Sequence, residues 1–189
     1  VTQTFSALLP PTLIAKSECP QSEAYFVTLC THQRECLFGE IVEGQMQLNS
    51  LGSLVAEEWQ KSFETCADID LHHWVIMPNH IHGIVTTVED QDSVLSEPSE
   101  QDQTPLRLSP MTERRSSDTL QHWISTFKKM AAERINPLRA LPQQPLWQRE
   151  FDQHFIPHRF AFHTFHQYIN TNPHAWDWDK LHPDSPALS

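Results

Sequence analysis

The chain is short of glycine, tyrosine and positive charge, and each shortage narrows what it can be. Only four glycines occur in 189 residues. None builds a Gly-rich turn between a strand and a helix, which argues against a doubly wound α/β arrangement. No apolar run approaches the ~20 residues of a membrane span, so no membrane partner is expected. Val1 to Lys16 lacks the basic opening and long apolar run of a signal peptide. The four cysteines, Cys19, Cys30, Cys36 and Cys66, show no Cys-x-x-Cys spacing. They read as free thiols in a reducing, cytoplasmic setting. Thirteen Lys and Arg face twenty-four Asp and Glu, a net charge of -11, which taken alone argues against a nucleic-acid partner.

What is present is a foldable chain with an uneven charge. Hydrophobic residues make up 39%, with six Trp and ten Phe, enough for one domain with a core. Residues 1–106 carry three Lys or Arg against sixteen Asp or Glu, whereas residues 107–159 carry nine against five. A locally basic segment on an acidic chain can still meet phosphates.

Residues 1–22 read as an extended N-terminal arm. Residues 23–180 read as a single domain, and 181–189 as a tail. Ala24 to Thr31 is a strand candidate, rich in aromatic and β-branched residues. Gln45 to Leu48 follows the Glu43-Gly44 turn as a short strand. Asn49 or Ser50 caps a helix running to about Thr65, with Leu51, Leu54, Val55, Trp59 and Phe63 at helical spacing. Asp70 to Met77 is a second long strand. Pro78-Asn79 interrupts it as a bulge or edge position, and His80 to Val88 continues as strand. From Glu89 to Asp118 the composition turns to Glu, Asp, Gln, Ser and Pro, which predicts a mobile acidic loop. A helix from Ser117 or Asp118 to about Asn136 buries Leu120, Trp123, Ile124, Phe127, Ala131 and Ile135. Leu146 to Pro157 is extended. A last helix spans about Phe160 to Asn172 and stops at Pro173. The mixture predicts an α+β fold with one antiparallel sheet.

The stretch with most chemistry in it is Met77-Pro78-Asn79-His80-Ile81-His82. On a strand, His80 and His82 share a face and Ile81 points to the other, because side chains alternate with period two. Two imidazoles so placed can hold one divalent ion, and such an ion can polarise a phosphodiester. Tyr168 and Asn172 are four apart, so they share one helix face. A phenol and an amide oxygen there can meet the histidines across the sheet. Tyr25, mid-strand, reads as a core residue. His72 and His73 are expected in structural or solvent roles. His166 is an alternative imidazole near Tyr168.

Four segments together resemble the single-tyrosine HUH transposases, and most closely the REP-associated tyrosine transposases. They are Tyr25-Phe26-Val27-Thr28 with Cys36-Leu37-Phe38-Gly39; Val75 through Val85 around the histidine pair; Ser125-Thr126-Phe127-Lys128-Lys129 with Trp147-Gln148-Arg149; and Tyr168-Ile169 with Asn172-Pro173. Their order and spacing match over roughly Tyr25 to Trp176. The resemblance implies a ferredoxin-like antiparallel sheet with helices packed on one face, in a protein that cuts and rejoins single-stranded, hairpin-bearing DNA. It implies His80 and His82 as paired ligands of Mg²⁺ or Mn²⁺, Asn172 as the third ligand, and Tyr168 as the nucleophile. Lys128, Lys129, Arg134 and Arg149 are then candidates for DNA backbone contacts, Trp147 for base stacking and Arg159 for a further phosphate contact. A homodimer or a monomer fits equally. A domesticated protein of the same fold that binds hairpins without cutting them is the alternative. A zinc hydrolase is a third reading, although the chain is short for the usual barrel of about 250 residues.

Overall fold

The structure, a computed structural model, describes residues 23–87, 110–139 and 143–185. The expected arm 1–22, the acidic loop as far as 109, Cys19 and residues 186–189 lie outside them. The described elements run β1 (Ala24–Cys30), β2 (Gly39–Val42), β3 (Gln45–Leu48), α1 (Ser50–Glu64), β4 (Ile69–Met77), β5 (His80–Thr87), α2 (Pro110–Ile135), β6 (Asp152–Ile156) and α3 (Arg159–Thr171). No described helix is long and apolar enough to cross a membrane.

One sheet has the order β4-β5-β1-β6 with every pairing antiparallel. With α1 and α2 as crossovers, this is the β-α-β-β-α-β winding of ferredoxin-like folds. β2 and β3 form a separate hairpin. Its two-residue turn is Glu43-Gly44, with φ of 51° and 74°. Two left-handed residues suit the twist of a tight hairpin, and glycine takes the second at no steric cost.

The α+β, antiparallel reading holds, but the helices cover both faces rather than one. Tyr25, Val27 and Leu29 of β1 and Ile81 and Val85 of β5 pack with Val55 and Trp59 of α1 and with Trp123, Ile124 and Phe127 of α2. Ala24, Phe26, Ile84 and Ile156 face the other way and meet Ile169 and Phe165 of α3. Right-handed crossovers place α1 and α2 on one face. The opposite face is also apolar, and α3, which follows the last strand, covers it.

Two boundaries differ from expectation. Pro78-Asn79 is a chain reversal, since β4 and β5 pair antiparallel with Met77 opposite His80. Proline's fixed φ suits the first corner of such a turn. α2 begins at Pro110, inside the stretch expected to be loop, because a proline at a helix start forfeits only an N–H that has no partner there. α3 ends before Pro173 as expected, and the chain continues into a 3-10 turn, Pro173–Trp178, with Asn172 at φ -56° and ψ -44°. Elsewhere the local chemistry is as read: the Asn49 side chain accepts from Gly52 N at 2.9 Å and caps α1.

Candidate active site

His80 and His82 sit on β5, an interior strand of the sheet, and both are buried. They share the face that α3 covers, and their ring centroids are 4.4 Å apart. One glycine helps to seat them: a Cβ on Gly83 would lie 2.9 Å from the Trp59 ring, so only glycine lets α1 pack this close behind the histidines.

The hydrogen bonds fix which nitrogen each ring offers. Asn79 Nδ2 donates to the carbonyl oxygens of Arg34 (3.1 Å) and Leu181 (2.7 Å). That pins the amide, so its Oδ1 is the atom 2.8 Å from His80 Nδ1. An oxygen acceptor there requires the proton on Nδ1 and leaves Nε2 as a bare lone pair. On β1, Thr28 Oγ1 lies 2.9 Å from His82 Nδ1 and turns that ring's Nε2 to the same centre. Partners of this kind behind a histidine orient metal ligands.

Asn172 completes the pattern. Its Nδ2 donates to Asp179 Oδ2 at 2.7 Å, so its Oδ1 is the free acceptor. His80 Nε2, His82 Nε2 and Asn172 Oδ1 are all buried without a hydrogen-bond partner. A buried acceptor left bare costs roughly 1–3 kcal/mol, and three on one face of a core are explained by a group that accepts lone pairs. A divalent cation fits such a set of lone pairs. Burial pushes the His80 imidazolium down to about 3, with the Asn172 amide acting against that and Arg34 with it. His82 is lowered well below the usual value, chiefly by burial and then by His80 itself. Both rings are therefore neutral at pH 7, the form that ligates.

Asp179 is the residue that sequence reasoning missed. One ligand atom from each of His80, His82 and Asp179 lies within 4.8 Å of the others, and all three residues are buried. Its Oδ1 accepts from Leu181 N at 2.7 Å. The 3-10 turn after Pro173 folds it back under the sheet face, with Trp176 against His80 at 6.1 Å between centroids. A carboxylate supplies the anionic oxygen that hard cations prefer. The one signal in the sequence is the alternation Trp176-Asp177-Trp178-Asp179, in which large apolar and acidic groups share a short turn.

Tyr168 lies one helical turn before Asn172. Its ring is 5.3 Å from His82 and 5.9 Å from Phe26, and it keeps 42% of its surface exposed. Burial first, and then the Asp179 charge, push its hydroxyl up to about 12. The phenol is accordingly protonated at neutral pH, beside the bare nitrogens.

The basic candidates are not gathered here. Lys128 Nζ donates to the carbonyl oxygens of Gln148, Arg149 and Glu150 at 3.1–3.3 Å and stands over the Phe151 ring. Arg134 pairs with Glu57 at 2.9 Å and, closely, with buried Glu58, tying α2 to α1 across the sheet from the histidines. Lys129 is 3.9 Å from Glu133. Arg149 is exposed beside Glu150. Trp147 is buried between Phe38 and Phe127. Arg159 opens α3 on the surface. His166 stacks on His73 at 4.2 Å, and both bond to Asn170, which ties α3 to β4. His72 bonds to Thr86.

No protein-family model matches the chain. It is 31% identical over 160 residues to an uncharacterized protein of Haemophilus influenzae, covering 85% of each chain. Among solved structures it is similar to a REP-associated tyrosine transposase bound to a REP hairpin, at TM-score 0.47 and 17% identity over 84% of this chain and 70% of that one. It is also similar to an inferred transposase of Deinococcus radiodurans R1, at TM-score 0.41 and 14% identity over 82% and 97%.

Proposed function

The chain belongs to one family with the Haemophilus influenzae protein, and we propose that it is an HUH-type tyrosine transposase that cuts and rejoins single-stranded, hairpin-bearing DNA. The observation that carries this reading is the meeting of three bare, buried acceptors (His80 Nε2, His82 Nε2 and Asn172 Oδ1) with the phenol of Tyr168. His80, His82 and Asn172, with Asp179 alongside, would hold Mg²⁺ or Mn²⁺, which would supply electrostatic stabilisation of the negative charge that develops on a scissile phosphate.

The residues themselves do the rest. Tyr168 Oη attacks phosphorus and loses its proton as it does so. The bond from phosphorus to the 3′ oxygen breaks, and that oxygen takes up a proton to become a free 3′-hydroxyl. The product is a 5′-phosphotyrosine link, which keeps the phosphodiester energy. Rejoining to another 3′-hydroxyl then needs no ATP. A phenol raised to about 12 attacks slowly at neutral pH unless positive charge stands close, which is why the nucleophile belongs beside a cation site. Asn79 and Thr28 hold the two imidazoles in register, and Asp179 holds the Asn172 amide.

The test is a denaturing gel of the protein with labelled hairpin DNA and Mn²⁺, with and without EDTA. A metal-dependent covalent protein–DNA band, absent in Tyr168→Phe, is the expected result. Hairpin binding on a native gel with no such band would replace this reading with that of a non-cutting hairpin-binding protein.

A further inference from the structure

Trp178 is the most exposed large apolar side chain among the described residues, at 88%, whereas Trp59, Trp123, Trp147 and Trp176 are all buried. An indole left almost wholly in water forfeits on the order of 2 kcal/mol of burial, so its position asks for a reason. It sits between Trp176, whose ring lies against His80, and Asp179, whose carboxylate reaches the histidine pair. Successive residues of a 3-10 turn advance only ~2 Å along the axis, which puts Trp178 at the rim of the site.

Two cations belong to the same stretch of structure. Lys180, two residues on, is exposed. Arg34 Nη1 donates to the Lys180 carbonyl oxygen at 3.1 Å, leaving the other donors of its guanidinium fork to solvent. Gln33 and Arg34 both have left-handed backbones, with φ of 53° and 57°. Non-glycine residues adopt that geometry at a cost, and such strain gathers at functional sites. The loop is held there by Asn79, whose Nδ2 donates to Arg34 O, so the turn that positions His80 also positions Arg34. One exposed carboxylate, Asp177, shares the turn, which leaves stacking rather than net charge as the main attraction.

A planar aromatic with cations at hand, beside a phosphodiester-cutting centre, fits an unpaired nucleotide: the base stacks on the ring and the backbone meets the charges. Resting on the strand-transfer reading above, we propose that Trp178, Arg34 and Lys180 form a subsite for an unpaired nucleotide next to the scissile phosphate, with Trp178 as its stacking platform.

The experiment compares a fluorescent hairpin carrying a short single-stranded flank, on the 5′ or the 3′ side in separate arms, with the same hairpin made blunt. Anisotropy is read in Mn²⁺ with Tyr168→Phe protein, which keeps the metal site and forms no covalent link. At least one flank is expected to tighten binding. Trp178→Ala is expected to weaken that flanked complex about tenfold and to leave the blunt hairpin unchanged. Trp178→Phe should recover most of the loss, and Arg34→Gln should weaken the flanked complex only. Indole emission should be quenched by the flanked hairpin in the parent and not in Trp178→Ala. An equal loss on both hairpins, no loss on either, or a parent that binds flanked and blunt hairpins alike overturns the subsite alone. A parent that binds neither overturns the strand-transfer reading and the subsite with it.

Discussion

At Asp179 the chain puts a charge where three neutral acceptors meet, and the side chain does two jobs at once: it accepts from Asn172 Nδ2 and it lies within ligand distance of both histidines. Asp179→Asn removes the charge and frees the Asn172 amide to turn. Mn²⁺ affinity is expected to fall roughly 10- to 100-fold, the usual cost of losing such a partner. Quenching of Trp fluorescence on Mn²⁺ titration measures it, and an unchanged affinity would show that the two histidines and Asn172 suffice. Proton linkage makes a second test at the same site. His80 is held at about 3 against an ordinary 6.5, so between those values the unfolded chain binds more protons than the folded one. The stability contributed is complete above pH 6.5 and drains as the pH falls, by about 1.4 kcal/mol per pH unit for one such group. Metal-free protein in EDTA is expected to melt at a clearly lower temperature at pH 5 than at pH 7.5, and His80→Gln should lessen the difference, with buried His82 supplying the remainder. That His80 and His82 share one sheet face, and Tyr168 and Asn172 one helix face, was legible because period-two and period-four spacings state which side chains lie together. Asp179 was not, since no periodicity carries across Pro173 and the 3-10 turn that returns the chain to the sheet.

Elements decide what charge alone leaves open. The basic stripe of α2 looked like a row of phosphate contacts, yet Lys128 lies against three carbonyl oxygens of the 148–150 segment and Arg134 against two glutamates of α1. A sequence shows the sign of a side chain and not its direction. The same limit applies to Trp147, whose neighbours on the sheet's far face are aromatic. Lys128→Met keeps the stem over Phe151 and removes the three donors. It is expected to lower stability by about 1–3 kcal/mol while the salt dependence of hairpin binding stays as it was; a reduced salt slope would return Lys128 to the DNA contacts. Arg134→Ala leaves the buried carboxylate of Glu58 without its cation and is expected to cost about 2 kcal/mol in denaturant unfolding, with no change in Mn²⁺ affinity. Against these, the strand β1, the capped helix α1 and the helix carrying Tyr168 were readable within a residue or two, because each has its own period and its own stop signal.

For the whole molecule, a net charge of -11 opposes the binding of a polyanion, so on the proposed function the ionic part of the attraction falls to a few cations near the site rather than to a basic surface. The logarithm of hairpin affinity is expected to fall with the logarithm of salt at a shallow slope of about -2 to -3, each neutralised phosphate contributing ~0.9. A slope several times steeper would mean that an extensive basic face engages DNA. Topology explains both the success and the failure of the fold reading. The order of strands and helices was enough for an α+β sheet, but which face α3 covers depends on the crossovers having already taken the other. The bond from Asn79 to the Leu181 carbonyl spans 102 positions of the chain. On a ribosome, the histidine hairpin emerges long before Tyr168, Asn172 and Asp179 exist, and its own turn stays unfastened until Leu181 arrives. No nascent fragment that stops short of Asp179 holds both halves of the candidate centre, so the site assembles in one step once that residue has emerged.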